Sequence, residues 1–136
     1  MNAKVFLDTN IIIYGYSQDE PEKRHRAQEC TQENESWIST QVLNETINTL
    51  KRKFFLDYRQ IGTVVDELSQ QHQLAIVSLG TIQKALEIAQ RYQYSYFDSL
   101  IIASALEVGC DRLYSEDLQD GQKIDSKLTL INPFIS

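Results

Sequence analysis

Three short stretches of this chain, Val5-Phe6-Leu7, Leu74-Ala75-Ile76-Val77 and Leu128-Thr129-Leu130-Ile131, are apolar almost throughout instead of alternating with polar residues. A strand with one wet face alternates, whereas an uninterrupted apolar run predicts a strand covered on both faces, as in a mainly parallel sheet. Trp37-Ile38 and Leu113-Tyr114 predict shorter strands, giving about five in all. Between them, Ile61, Val64, Val65 and Leu68 recur with the period of an amphipathic helix, and Ile82, Ala85, Leu86 and Ala89 repeat the pattern. Leu43, Ile47, Leu50 and Phe54 predict a further helix. Ile101, Ile102, Ala105 and Leu106 predict one that begins near Asp98 and stops at Gly109. Strands separated by helices require a connection over the sheet, so the expected architecture is a three-layer α/β/α fold.

The chain has 136 residues, and no Gly/Ser linker, low-complexity block or repeat interrupts it. A single domain over residues 1–136 is therefore expected. The longest mostly apolar stretch, Leu100 to Cys110, is too short for a bilayer, which needs about 20 residues. The N-terminus carries no basic leader followed by an apolar segment, so no membrane anchor and a cytoplasmic location are expected. Cys30 and Cys110 lack any paired spacing and predict buried thiols. A net charge of −6 argues against coating nucleic acid by bulk electrostatics, though it leaves local phosphate contacts open.

Most of the 19 acidic residues must be solvated, and context selects among them. Asp8 stands where the first apolar run meets a loop, the edge at which open α/β sheets bind ligands. It also suits an Asx-turn or a helix N-cap, and the adjacent Thr9 and Asn10 can hydrogen-bond nearby carboxylates. Asp98 ends Ser95-Tyr96-Phe97-Asp98, which fits a capping box. Asp117, in Ser115-Glu116-Asp117 with Asp120 beyond, fits an acidic surface turn equally well. Glu45 falls beside Gln41, Asn48 and Thr49, off the apolar stripe of its helix, and reads as solvated. Acids gathered at one sheet edge would repel, and a cation would offset the charge. Mg²⁺ and related hard cations favour such oxygen ligands. His25 and His72 lie outside these stretches.

Val5-Phe6-Leu7-Asp8-Thr9-Asn10, Glu45 in a mid-chain helix, Tyr96-Phe97-Asp98-Ser99-Leu100-Ile101-Ile102-Ala103 and Tyr114-Ser115-Glu116-Asp117 together resemble, in order and spacing, the PIN domain. By size and layout the chain looks most like the VapC-type toxin ribonucleases of type II toxin–antitoxin pairs. The resemblance implies a four-acid site of Asp8, Glu45, Asp98 and Asp117 that binds Mg²⁺ or Mn²⁺ and cleaves RNA. It also implies support from Asn10 and Ser115, with Asp120 an alternative to Asp117 as the fourth acid, a cognate antitoxin, and a homodimer. Lys51, Arg52 and Lys53, with Lys23-Arg24-His25-Arg26, are the compact basic groups available for RNA phosphates. Two other classes stay open: a non-catalytic RNA- or protein-binding module, and an aspartyl-phosphate phosphotransfer protein. The second fits poorly, because position 10 is Asn where haloacid-dehalogenase-like phosphatases carry a second Asp.

Overall fold

The computed structural model describes residues 3–32 and 35–135. Its strands are β1 (Lys4–Leu7), β2 (Glu35–Ser39), β3 (Gln73–Ala75), β4 (Arg112–Tyr114), β5 (Lys123–Ile124) and β6 (Leu128–Ile131). They form one sheet in the order β3-β2-β1-β4-β6-β5, parallel except for the β5–β6 hairpin. Helices α1 (Thr9–Tyr14), α2 (Pro21–Gln32), α3 (Thr40–Arg52), α4 (Tyr58–Gln71), α5 (Leu79–Tyr92) and α6 (Tyr96–Glu107) flank it in an α/β/α sandwich. The central strand β1 and its neighbour β4 are fully apolar where they cross the core, and Val5, Phe6, Leu7 and Leu113 are completely buried. That burial is what the lack of alternation anticipates.

Several elements differ from expectation for identifiable reasons. The sheet has six strands; β5 is only two residues long and is held by the hairpin turn at Asp125 and Ser126, both in the left-handed region. Two residues carry no periodicity to read. The run Leu74-Ala75-Ile76-Val77 yields the edge strand β3, not a buried one: only its Ala75 is buried, and the strand stops before the exposed Ile76. In α5 the buried face is Thr81, Ala85 and Ile88, so Leu86 turns outward. The small Ala85 packs against Leu100 and Ala103 of α6, and close helix approach there rotates the larger residues away. Helix α2 is so polar that its buried residues are Ala27 and Cys30 alone, yet Pro21 at its first position is a fitting start. Gly109, at φ +76°, follows α6 as expected of a helix stop. Cys30 and Cys110 are both buried thiols. Among the described residues no helix is long and apolar enough to cross a membrane.

Strand order determines where a ligand can sit. The chain runs from β1 outward through β2 to β3, then returns to the other side of β1 with β4. At such a reversal the connections leave the sheet in opposite directions, and a crevice opens beyond the carboxyl ends of the two strands.

Candidate active site

Register brings the first two site residues together. Leu7 pairs with Tyr114 across β1 and β4, so the next residues, Asp8 and Ser115, emerge side by side. The Asp8 amide continues the ladder by donating to the Tyr114 carbonyl at 3.0 Å. Asp8 is also the N-cap of α1, its Oδ1 accepting from the Thr9 amide at 2.7 Å, while Oδ2 accepts from the Ser115 hydroxyl at 2.7 Å. Capping and site membership thus coincide in one carboxylate, which is only 6 % exposed. Burial holds its pKa up at about 6; the Ser115 and Thr9 hydrogen bonds oppose the rise, and the charges of Glu45 and Asp98 add to it.

The remaining acids arrive from three other elements. Ser39 caps α3, its Oγ accepting from the Val42 amide, and the second turn of that helix carries Glu45 to the same crevice. Glu45 is half-buried. Its Oε1 accepts from the Thr9 hydroxyl at 2.5 Å and its Oε2 from Gln41 Nε2 at 3.3 Å. Ser95 Oγ accepts from the Asp98 amide at 3.2 Å, but the return bond that would close a capping box is not made, which leaves the Asp98 carboxylate facing the hollow. Partial burial raises the Asp98 pKa, against the Ser95 hydrogen bond and with the charges of Asp117 and Glu45. Asp117 is positioned by Asn10, whose Nδ2 donates to it at 3.0 Å and whose Oδ1 accepts from the Glu116 amide at 3.3 Å. Ser115 Oγ accepts from the Asp117 amide at 3.2 Å, so one hydroxyl ties Asp117 to Asp8.

Asp8, Glu45, Asp98 and Asp117, drawn from positions up to 109 residues apart (117 − 8), line one hollow of about 760 Å³. Asp120 does not line it: its Oδ1 accepts from the Asn132 amide at 2.8 Å and steadies the turn after β4. Arg52 and Lys53 do line the hollow, whereas Lys51 lies over the Tyr58 ring at 4.4 Å. Among the described residues, none of the four acids forms a salt bridge.

Three contributors escape sequence reading. Gln41 is buried, and its Nε2 bridges Glu45 to the Phe97 carbonyl at 3.0 Å, linking α3 to the turn that carries Asp98. Only its spacing four residues before Glu45 hints at this. Glu116 accepts from Tyr14 at 2.7 Å and Lys23 at 2.5 Å, fastening α1 and α2 to the loop that holds Ser115 and Asp117. Phe97 lines the hollow with its ring exposed. An aromatic directly before Asp98 was its only signal.

Among the described residues no three acidic, His or Cys side chains form a ready-made metal cage. Mg²⁺ keeps several waters and binds through one or two carboxylates together with substrate phosphate. The donor set is all oxygen, and Asp8 is a buried carboxylate with neighbouring negative charge that, among the described residues, forms no salt bridge. These residues fit a hydrated hard divalent ion.

The family model described as PIN domain matches residues 5–122. No curated protein matches the chain by sequence. Solved structures similar to it include a toxin–antitoxin complex from Klebsiella pneumoniae, at TM-score 0.71 and 20 % identity, covering 96 % of this chain and 98 % of that one. VapC20 of Mycobacterium tuberculosis, a sarcin-ricin loop cleaving toxin, aligns at TM-score 0.64 and 20 % identity over 80 % of this chain and 86 % of its own. VapBC2 of Rickettsia felis, bound to promoter DNA, aligns at TM-score 0.68 and 17 % identity over 93 % and 96 %.

Proposed function

The chain belongs to the PIN-domain family, and from that premise we propose that it is a divalent-metal-dependent endoribonuclease, the toxin of a type II toxin–antitoxin pair acting in the cytoplasm. The observation that carries this reading is the convergence of four carboxylates, from four separate stretches of chain, on one hollow in which, among the described residues, none of them is held in a salt bridge. Asp8 and Asp98 would hold Mg²⁺ or Mn²⁺ directly, and Glu45 and Asp117 would orient the attacking water. When bound, the metal lowers the pKa of water and neutralises charge on the phosphodiester. Thr9 and Gln41 hold the Glu45 carboxylate from two sides, and Asn10 holds Asp117. Ser115 keeps one Asp8 oxygen turned toward the β4 loop. Arg52 and Lys53 at the rim, with Lys51 beside them, meet the RNA phosphates.

The antitoxin partner is supported by the toxin–antitoxin complexes among the similar structures. An Arg from that partner, set among the unpaired acids, would take the place of cations. A homodimer is supported by the apolar side chains of Ile76, Leu79 and Leu86, exposed at the β3–α5 edge. Cleavage of RNA by the wild type in Mg²⁺ or Mn²⁺, its loss in EDTA, and its loss in Asp8→Asn and Asp98→Asn proteins that remain folded are the expected results. Full activity in both variants would remove the assigned roles. RNA binding without turnover in every metal would instead favour a non-catalytic module, and acid-labile phosphorylation of Asp8 a phosphotransfer protein.

A further inference from the structure

Phe97 is a large apolar side chain that the fold leaves unused. It precedes Asp98 in the first turn of α6; residues Ser99 to Ala105 of the same helix are buried, yet Phe97 is 63 % exposed on the wall of the acidic hollow. Leaving a phenyl ring in water forfeits the burial free energy that places most aromatics in a core.

The backbone that carries the ring is nonetheless held, and the ring has an aromatic neighbour. The Phe97 carbonyl accepts from the buried Gln41, and the Tyr96 ring meets the phenyl ring edge-on with centroids 5.3 Å apart and planes at 64°. In the same hollow Arg52 and Lys53 are exposed, and among the described residues neither has a carboxylate partner. An exposed aromatic face and cations without carboxylate partners, sharing a hollow with acidic oxygens, suit one kind of polymer: a nucleic acid strand whose bases are unpaired. Its phosphates take the cations, and an unstacked base takes the ring face. A duplex has no such face to offer, because its bases already stack on each other.

Resting on the ribonuclease reading above, we propose that Phe97 is the stacking platform of a nucleotide subsite, which seats one unpaired base beside the phosphodiester held at the acids. Every base has a π face, so the platform selects single strands over duplex without selecting a base.

The test uses the full chain and a single-stranded oligoribonucleotide carrying 2-aminopurine. Phe97→Ala raises KM about tenfold with kcat nearly unchanged, and Phe97→Trp returns KM to the wild-type value. In the cleavage-deficient Asp98→Asn protein, binding quenches 2-aminopurine, and adding Phe97→Ala abolishes the quenching. The same oligonucleotide annealed into a duplex shows little dependence on residue 97. An unchanged KM in Phe97→Ala, with wild-type cleavage intact, overturns the platform and leaves the ribonuclease reading standing. Loss of an oligomer in Phe97→Ala by sedimentation, with KM recovering at high protein concentration, makes Phe97 an interface residue and also overturns it. A wild-type chain that neither cleaves nor binds RNA removes both readings together.

Discussion

At the scale of single residues, Asp8 carries the plainest conflict between stability and function. In the metal-free protein burial and neighbouring charge disfavour its ionised form, so its folded-state pKa of about 6 lies above the ordinary 3.8. The folded state therefore binds the proton more tightly than the unfolded one. Stability gained from that proton is present below the unfolded value and is lost as pH rises through 6. Asp8→Asn should accordingly be more stable than wild type in EDTA at pH 7.5, by about 1–3 kcal/mol, with the gain shrinking toward zero near pH 4. Urea unfolding at the two pH values checks this, and a variant weaker than wild type at pH 7.5 would contradict the assigned burial cost. Ser115→Ala removes the hydroxyl that favours the carboxylate, so NMR titration of Asp8 should move upward, away from the wild-type value.

Helices and loops are joined around the site by a second set of contacts. Lys23, in the first turn of α2, is held between Glu116 and the rings of Tyr14 and Phe134, at 4.7 and 5.4 Å. Its pKa is raised by its hydrogen bonds to Glu116 and Tyr14; burial pushes Glu116 up, but the bonds that Glu116 accepts from Lys23 and Tyr14, with the Lys23 charge, keep it below the usual glutamate value. The pair is about a third exposed, so solvent screening limits its worth. A double-mutant cycle of Lys23→Met and Glu116→Gln should show coupling of about 1 kcal/mol, and hydrogen exchange in the Ser115–Leu118 loop should quicken in either single variant. Additive effects with unchanged exchange would mean that α2 does not steady this loop. None of this was visible in α2 as sequence, because an almost wholly polar helix gives periodicity nothing to mark. The α3 and α4 helices, with apolar residues three and four apart, were visible for the opposite reason.

For the molecule as a whole, charge and metal act together. If the acids hold a divalent ion in the folded state alone, Mg²⁺ should raise the melting temperature of the wild type by several degrees at saturation, and much less in Asp8→Asn. Thermal unfolding across Mg²⁺ concentrations measures this without any RNA. Replacing Lys51, Arg52 and Lys53 together by Gln should weaken RNA binding and flatten its dependence on salt, since fewer counterions are released. An equal salt slope in the two proteins would place the phosphate contacts elsewhere. The alternation of apolar strands with amphipathic helices was enough to anticipate a covered, mainly parallel sheet, and element boundaries singled out Asp8, Asp98 and Asp117, whereas Glu45 read as solvated within its helix and was named only by the family resemblance. Those features are local, and hydrophobic periodicity reports local burial directly. What folding alone decided was the company each acid keeps: the pairing of Leu7 with Tyr114 that sets Asp8 against Ser115, the turn that takes Asp120 to Asn132 and leaves Asp117 with Asn10, and the helix packing that turns Glu45 from a solvated position into the hollow. Strand order and register join residues a hundred positions apart, and no pattern within a single segment carries that information.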